Sequence, residues 1–363
     1  MNIITSSRGY ERWLGQHLTL VPADLAQKHM HMSDDIFRFL RATYYRWAQR
    51  FPVVCEDLLD ATVVLAIGDL HIENFGTWRD ALARLIWGVN DFDEAYPLAY
   101  TNDLVRLVTS VRLAAMTGHI RISPKHACEA VLEGYRKGLV NGTQPFVLEN
   151  RHNKLRRLAV SKLRKPKPFW RKIESLPNAT GRLPRTAVAA LVASLPDVEL
   201  EYELKTRRAG EGSLGRQRFV ALADYQGGYI AREAKAIAPS ANVWALSADP
   251  AANQIFYDQI VAGAARCPDP CLQVDDRWIV RRLSPSCSRI ELQQLAAARD
   301  EYVLLKAMGR ETANVHAHNE ELAAKILADL DGRPAYWLHK ASKAMAADVE
   351  KDWHIWRSHM RSR

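Results

Sequence analysis

Ile36, Phe37, Leu40, Tyr44 and Trp47 follow the spacing that keeps apolar side chains on one face of a helix, so the first 60 residues read as helical. Ser33 and Asp34 stand where a helix start is capped. The pattern then changes: Thr62 to Ile67 is a β-branched and aliphatic run ending at Gly68, and Leu85 to Val89 is a second run ending at Asn90 and Asp91. These predict two strands joined by a polar loop. Helical spacing returns over Asn102 to Ala115 and about Ala127 to Leu139.

Beyond Pro196 the predicted elements are short strands at Glu199 to Arg207, Arg218 to Asp224, Tyr229 to Lys235 and Trp278 to Leu283, with a turn at Gly227 and Gly228. From Glu291 onward the pattern is helical. Helix-rich ends around a strand-rich middle predict an α+β fold. A length of 363 residues predicts more than one core. We divide the chain into a helical lobe over 1–190, a small β-rich lobe over 191–285 and a helical segment over 286–363 that packs back on the first.

Charge sharpens this division. The formal net charge is +9, yet residues 151–185 hold twelve Lys and Arg against Glu174 alone, so the remainder is slightly acidic. Pro166 and Pro168 break regular structure there, and a solvated basic connector is the plain reading. RNA binding, with Phe169 and Trp170 stacking on bases, is the less favoured one. The longest apolar runs, Ala61 to Ile67 and Ala187 to Leu195, fall well short of the roughly 20 residues that cross a bilayer, so neither a membrane partner nor a location outside the cytoplasm is expected. Cys55, Cys128, Cys267, Cys271 and Cys287 are odd in number and scattered, which predicts free thiols.

The candidate chemistry lies in Gly68-Asp69-Leu70-His71-Ile72-Glu73-Asn74-Phe75-Gly76, followed by Asn90-Asp91-Phe92-Asp93-Glu94. Phosphoryl transfer asks for a carboxylate to orient a hydroxyl and for oxygen ligands to hold magnesium on phosphates. Asp69 and Asn74 stand five positions apart, as do the base and the metal-binding asparagine of kinase catalytic loops. Asp91, with Asp93 beside it, ends the returning strand and supplies hard oxygen donors suited to magnesium. His71 is a second acid–base candidate, or holds the loop's shape by bonding its backbone. Asp103 either accepts loop amides or caps a helix.

Gly210-Glu211-Gly212-Ser213-Leu214-Gly215 is followed by strands rather than a helix, which suits a hairpin roofing ATP phosphates better than a dinucleotide site. Gly210, Gly212, Ser213 and Gly215 are its phosphate-binding candidates, and Lys235 closes the third strand where a phosphate-pairing lysine belongs. No glutamate follows on the next helix, which leaves Glu233 or Glu291 as the partner of Lys235. His316-Ala317-His318 suggests a metallophosphoesterase only weakly, since no Gly-Asn-His motif accompanies it.

The motifs from Gly68 to Gly76, Asp91 to Glu94 and Asp103 to Leu107 resemble the uncharacterised bacterial "domain of unknown function 2252" family. So do Gly212 to Gly215, Lys235 with Pro239-Ser240, Ile279 to Leu283, and the early Lys28, Met32, Phe37, Phe39, Leu40 and Arg41. More distantly, Gly68 to Asn74 and Asp91 are similar to aminoglycoside phosphotransferases and choline kinases. That resemblance implies a two-lobed protein-kinase-like fold binding ATP and Mg2+, with Asp69 as base and Asn74 and Asp91 as metal ligands. Ile67 stands where those kinases carry histidine, and Ala236 where the closer family has glutamate. The catalytic loop precedes the glycine turn, which implies a circular permutation. The expected activity is phosphoryl transfer from ATP to a small-molecule or protein hydroxyl; the alternative is an inactive nucleotide-binding module whose basic segment docks a partner.

Overall fold

A computed structural model describes residues 1–118, 120–246, 253–289 and 297–362. Four helices open the chain: α1 (Ile3–His17), α2 (Pro22–Asp34), α3 (Ile36–Ala42) and α4 (Tyr44–Val54). The side chain capping α3 is Asp35, which accepts from the Arg38 N–H; Ser33 and Asp34 belong to the end of α2. Next come β1 (Val63–Ala66), β2 (Phe75–Arg79), β3 (Leu85–Val89), β4 (Tyr96–Ala99), α5 (Thr101–Met116), α6 (Pro124–Val140) and β5 (Phe146–Val147). The supposed polar loop before Leu85 therefore contains a strand, β2, which forms a hairpin with β3 and turns Asp91 back toward Asp69. β1 pairs antiparallel with β4, and β2, β3 and β5 make a three-stranded sheet.

The basic segment is structured. It forms α7 (Asn153–Ser161) and α8 (Pro166–Glu174), and α9 (Arg185–Ala193) follows. Pro166 and Pro168 open α8 instead of breaking it, because the first turn of a helix leaves its N–H groups unbonded in any case. Three strands then meander, β6 (Glu203–Thr206), β7 (Arg218–Tyr225) and β8 (Gly228–Ala236). The β7–β8 turn is centred on Gln226 and Gly227, both at positive φ, one residue earlier than the glycine pair suggests. After α10 (Ala241–Ala245) and α11 (Tyr257–Gly263) come β9 (Gln273–Asp275) and β10 (Trp278–Leu283), completing an antiparallel sheet ordered β6-β7-β8-β10-β9.

Both faces of that sheet are covered by helices we had assigned to the first lobe. Ala187, Ala190 and Leu191 of α9 pack on Phe219, Ala221, Ala234 and Val280. Phe169 and Ile173 of α8 pack on Val220, Leu222, Ala231 and Leu283 of the opposite face. Burying such side chains contributes about 1.5–3 kcal/mol each, which outweighs the tendency of the charged residues around them to stay in solvent. Residues 166–193 thus belong with the β-rich lobe, and their lysines and arginines line its outer surface.

The chain closes with α12 (Ala298–His316), α13 (Glu320–Gly332) and α14 (Trp337–Arg361). Among the described residues this helical region starts at Ala298; Glu291 and its neighbours lie outside them. α12 crosses α6 in backbone contact, since a Cβ at Gly134 would fall 1.9 Å from the Lys306 carbonyl oxygen and one at Gly309 2.1 Å from that of Val131. One hydrophobic core runs from α1 to α6 and on through α12 to α14. The architecture is α+β, and no described helix is long and apolar enough to cross a membrane.

Candidate functional site

The loop after β1 is built on a glycine that no other residue replaces. Gly68 sits at φ +82, and a Cβ there would meet the Glu94 carbonyl oxygen at 2.3 Å and the Tyr44 hydroxyl at 2.8 Å. Asp103, in the first turn of α5, accepts from the Ile67 N–H at 2.7 Å and the Gly68 N–H at 2.9 Å, so it holds the loop and does not merely cap a helix. His316 bonds Asp103 at 2.9 Å through Nε2 and the Tyr135 hydroxyl at 2.9 Å through Nδ1. Its role is this buried brace; His318 is exposed. Farther along, the Asn74 amide donates to the Asp69 carbonyl at 2.7 Å and closes the loop, leaving Oδ1 as its free acceptor. Nδ1 of His71 accepts from the Glu73 N–H at 3.1 Å, and burial with Arg41 nearby holds the ring neutral, so His71 shapes the loop.

Asp69 rests on Arg106, which reaches it through Nε at 2.8 Å and through Nη2. Arg106 is fully buried between the Tyr44 and Trp47 rings, each 4.9 Å from its guanidinium carbon. Burial pushes the Asp69 carboxyl up to about 6, with Arg106 opposing it. A carboxylate poised near neutrality is suited to take a proton.

Across the cleft, Lys235 of β8 donates to Asp91 at 3.2 Å and Asp93 at 2.5 Å. Burial alone would raise both carboxyls; Lys235 nevertheless holds Asp91 well below the usual range, and the Asp91 charge adds to burial in raising Asp93. Arg216 reaches Asp93 at 3.2 Å and Glu94 at 3.4 Å. Burial pushes Glu94 up to about 7, although the Ala241 N–H donates to it at 2.6 Å. Glu233 is not the partner of Lys235. It is bound by Arg207, by Arg218 at 3.1 Å and by Arg281 at 3.0 Å, because the register that sets Lys235 opposite Arg218 sets Glu233 opposite Val220 and Arg281.

The glycine turn closes over this arrangement. Gly210 and Gly215 take positive φ, and a Cβ on Gly212 would fall 2.9 Å from the Arg41 carbonyl oxygen and 3.7 Å from Oδ2 of Asp69. Lys28 donates to the Gly212 carbonyl at 3.2 Å, while Ser213 Oγ accepts from Arg218 at 2.5 Å and is thereby engaged within the protein. The stretches near positions 70 and 210 thus share one cavity of about 60 Å³, lined also by His71, Asn74, Asp91 and Asp93.

Sequence reasoning offered Glu94 as a supporting carboxylate but gave no role to Lys28, Arg41, Arg106, Arg216 or Arg289, all of which touch this cleft or hold it. The one local signal was Asp103-x-x-Arg106, two charges in the first turns of a helix that otherwise reads as core. A second cavity of about 440 Å³ adjoins the first, sharing Asp91, Gly210 and Arg289. It lies where residues 284–289 leave β10 and run beside β2, the Thr77 N–H donating to the Ser288 carbonyl at 2.7 Å. Among the described residues no three His, Cys, Asp or Glu side chains gather at metal-binding distance, and the cysteines are free thiols.

No curated protein and no solved structure matches the chain. Residues 20–167, which carry Lys28, Arg41, Asp69, Asn74, Asp91 and Arg106, match the model of a family described as "Uncharacterized protein conserved in bacteria (DUF2252)"; the glycine turn and the Lys235 strand lie beyond the match.

Proposed function

We propose that this protein is an ATP- and magnesium-dependent phosphotransferase of protein-kinase-like, circularly permuted design, acting on the hydroxyl of a small molecule or a protein. The observation that carries this reading is the convergence of Asp69, Asn74, Asp91 and Gly210 to Ser213 of the glycine turn on one cleft, with Lys235 bonded to Asp91 and Asp93 behind it, from stretches far apart in sequence. The placement of Lys235 near the end of a three-strand meander whose first two strands are joined by the glycine turn supports it too.

The donor set fits magnesium of the kind that arrives on a nucleotide. Such an ion keeps several waters and takes one or two protein oxygens beside the phosphates, so an anionic Asp91 and Oδ1 of Asn74 suffice, with Asp93 behind them. When bound it would offset phosphate charge. Asp69 would orient the acceptor hydroxyl and take its proton as the new oxygen–phosphorus bond forms and the bond from the γ-phosphorus to the bridging oxygen of the departing ADP breaks. Arg106 fixes the direction in which Asp69 points.

A second reading, an inactive nucleotide-binding module, draws on Lys235 itself, whose ammonium spans Asp91 and Asp93 where a cation would otherwise sit. Thermal shift of the full chain with ATP and magnesium, followed by release or transfer of labelled γ-phosphate, separates the two. The phosphotransferase gives a shift and turnover, and Asp69→Asn lowers turnover by about 10²–10⁴-fold while keeping the shift. A shift without turnover would leave the binding module, and no shift at all would remove both.

A further inference from the structure

The 440 Å³ cavity between the lobes is cationic to a degree that the fold does not require. Arg207, Arg218 and Arg281 converge there on one carboxylate, Glu233, which is fully buried. Arg282 reaches Asp269 at 3.3 Å and the Arg79 carbonyl at 2.7 Å, and Arg266 donates to the Val89 carbonyl at 3.1 Å. Arg289, which lines both cavities, meets Glu73 at 3.6 Å, but Glu73 is already held by Arg41 at 2.6 Å. The Nε groups of Arg218, Arg266 and Arg282 are buried and find no hydrogen-bond partner among the described residues. Buried guanidinium donors are costly when unsatisfied, and a recess that gathers several of them gains from an anion with many acceptor oxygens.

The shape and position narrow the anion. A volume of about 440 Å³ exceeds that of a single phosphate and lies within the range of small-molecule sites. The cavity borders the cleft holding Asp69, with Asp91, Gly210 and Arg289 common to both walls, so one end of an occupant would lie beside the candidate site. The two aromatic rings in the cavity lining, Trp78 and Tyr257, are buried, and the Arg266 guanidinium already stacks on Trp78 at 4.6 Å, so arginines rather than an open apolar platform meet the occupant.

We propose that this cavity binds a run of linked phosphates, as the tail of a nucleoside triphosphate or as inorganic polyphosphate, and recognises the phosphates rather than the base. The binding stands on the arginines; the role of the occupant as phosphoryl donor rests on the function proposed above.

Isothermal titration of the full-length protein with ATP, GTP, inorganic tripolyphosphate and adenosine, each with magnesium, tests it. ATP and GTP should bind within about threefold of each other, tripolyphosphate should compete with both, and adenosine should not bind. Discrimination of more than about thirtyfold between ATP and GTP, or binding of adenosine but not tripolyphosphate, overturns the inference while leaving the phosphotransferase reading intact. Tripolyphosphate binding in a protein that transfers no phosphate from any of these compounds keeps the inference and removes that reading. A comparison of tripolyphosphate with ATP as donor tells the two sources apart.

Location is tested by variants. R281Q/R282Q and, separately, Arg289→Gln should weaken tripolyphosphate binding at least tenfold. Arg289, with more than a third of its side chain exposed, serves if the double variant does not fold. K167A/R171A/K172A, which removes exposed charges of α8, should leave binding within twofold. The reverse pattern would place the phosphates on the outer basic face and overturn the assignment.

Discussion

The two adjoining cavities differ in how charge is matched. Around the small one, acids and bases are placed against one another: Asp69 with Arg106, Asp91 and Asp93 with Lys235, Asp93 and Glu94 with Arg216, Glu73 with Arg41. In the large one three arginines crowd one glutamate, and others turn to backbone carbonyls. Paired charges in a tight, mostly buried recess fix the directions of the groups that would act on a substrate. Surplus charge in a roomier recess fixes nothing by itself and favours whatever anion enters. The first cavity has the character of a place for chemistry, the second of a place for binding.

Removing a base from each cavity is the strongest way to break that contrast. Lys235→Met keeps the bulk of the side chain but leaves Asp91 without its ion-pair partner and the nearly buried Asp93 with Arg216 alone. Loss of one partner from a buried ion pair costs roughly 3–5 kcal/mol. Arg289→Gln removes a charge from the crowded side, where Glu73 keeps Arg41, and should change stability by less than about 1 kcal/mol. Urea denaturation of both variants measures the difference. Equal losses would mean that the two cavities are matched alike.

A smaller effect is expected one step behind the small cavity. Asp103→Asn offers one oxygen and one N–H group to the two amides of Ile67 and Gly68, so one donor faces another donor inside the core. An unsatisfied buried group of this kind costs about 1–3 kcal/mol. Hydrogen exchange should quicken at the Ile67 and Gly68 amides first, while amides of β7 and β8 keep their protection. Uniform quickening across both lobes would show that the brace through His316 serves the whole fold rather than this loop.

The parts of this arrangement that were legible in the sequence are those written in consecutive residues. The β-branched run before Gly68, the five-residue step from Asp69 to Asn74, the apolar run before Asp91 and the alternation leading to Lys235 are short-range patterns, and the structure brings Asp69, Asn74 and Asp91 to one cleft with Lys235 bonded to Asp91. Strand β2 was missed because Phe75-Gly76-Thr77-Trp78 is buried along its length and shows no alternation. Helix α8 was read as a broken connector because its prolines are helix-compatible only in a first turn, and the run's charge hides the two residues, Phe169 and Ile173, that seat it on the sheet. Glu233 is one of two glutamates the sequence offers to the lysine two residues away, yet its partners come from two other strands and the segment after β6. Arg106, Arg216 and Lys28 acquire their roles only through contacts 37, 123 and 184 residues away in the chain, which no local pattern encodes.

The mildest prediction sharpens the contrast through protons. Asp69 and Glu94 belong to the small cavity, where burial lifts their carboxyls to about 6 and about 7. In the base role proposed for it Asp69 would act in its ionised form, so turnover should be level above pH 7 and fall toward tenfold per unit below about 6. The sign for stability is the opposite one. A buried carboxyl lifted above its unfolded value holds its proton more tightly in the folded chain, so its contribution to folding is fully present below about pH 4 and lost as the pH rises through about 6. Acidification should therefore slow the protein without loosening this part of it, and initial rates recorded beside melting temperatures between pH 5 and 8 separate the two effects. Glu94→Gln should leave the inflection near 6 in place, since that carboxyl bonds Arg216 and Ala241 rather than a reacting group. An inflection that moves or vanishes in this variant, with Asp69 intact, would transfer the titration to Glu94 and take the base role from Asp69.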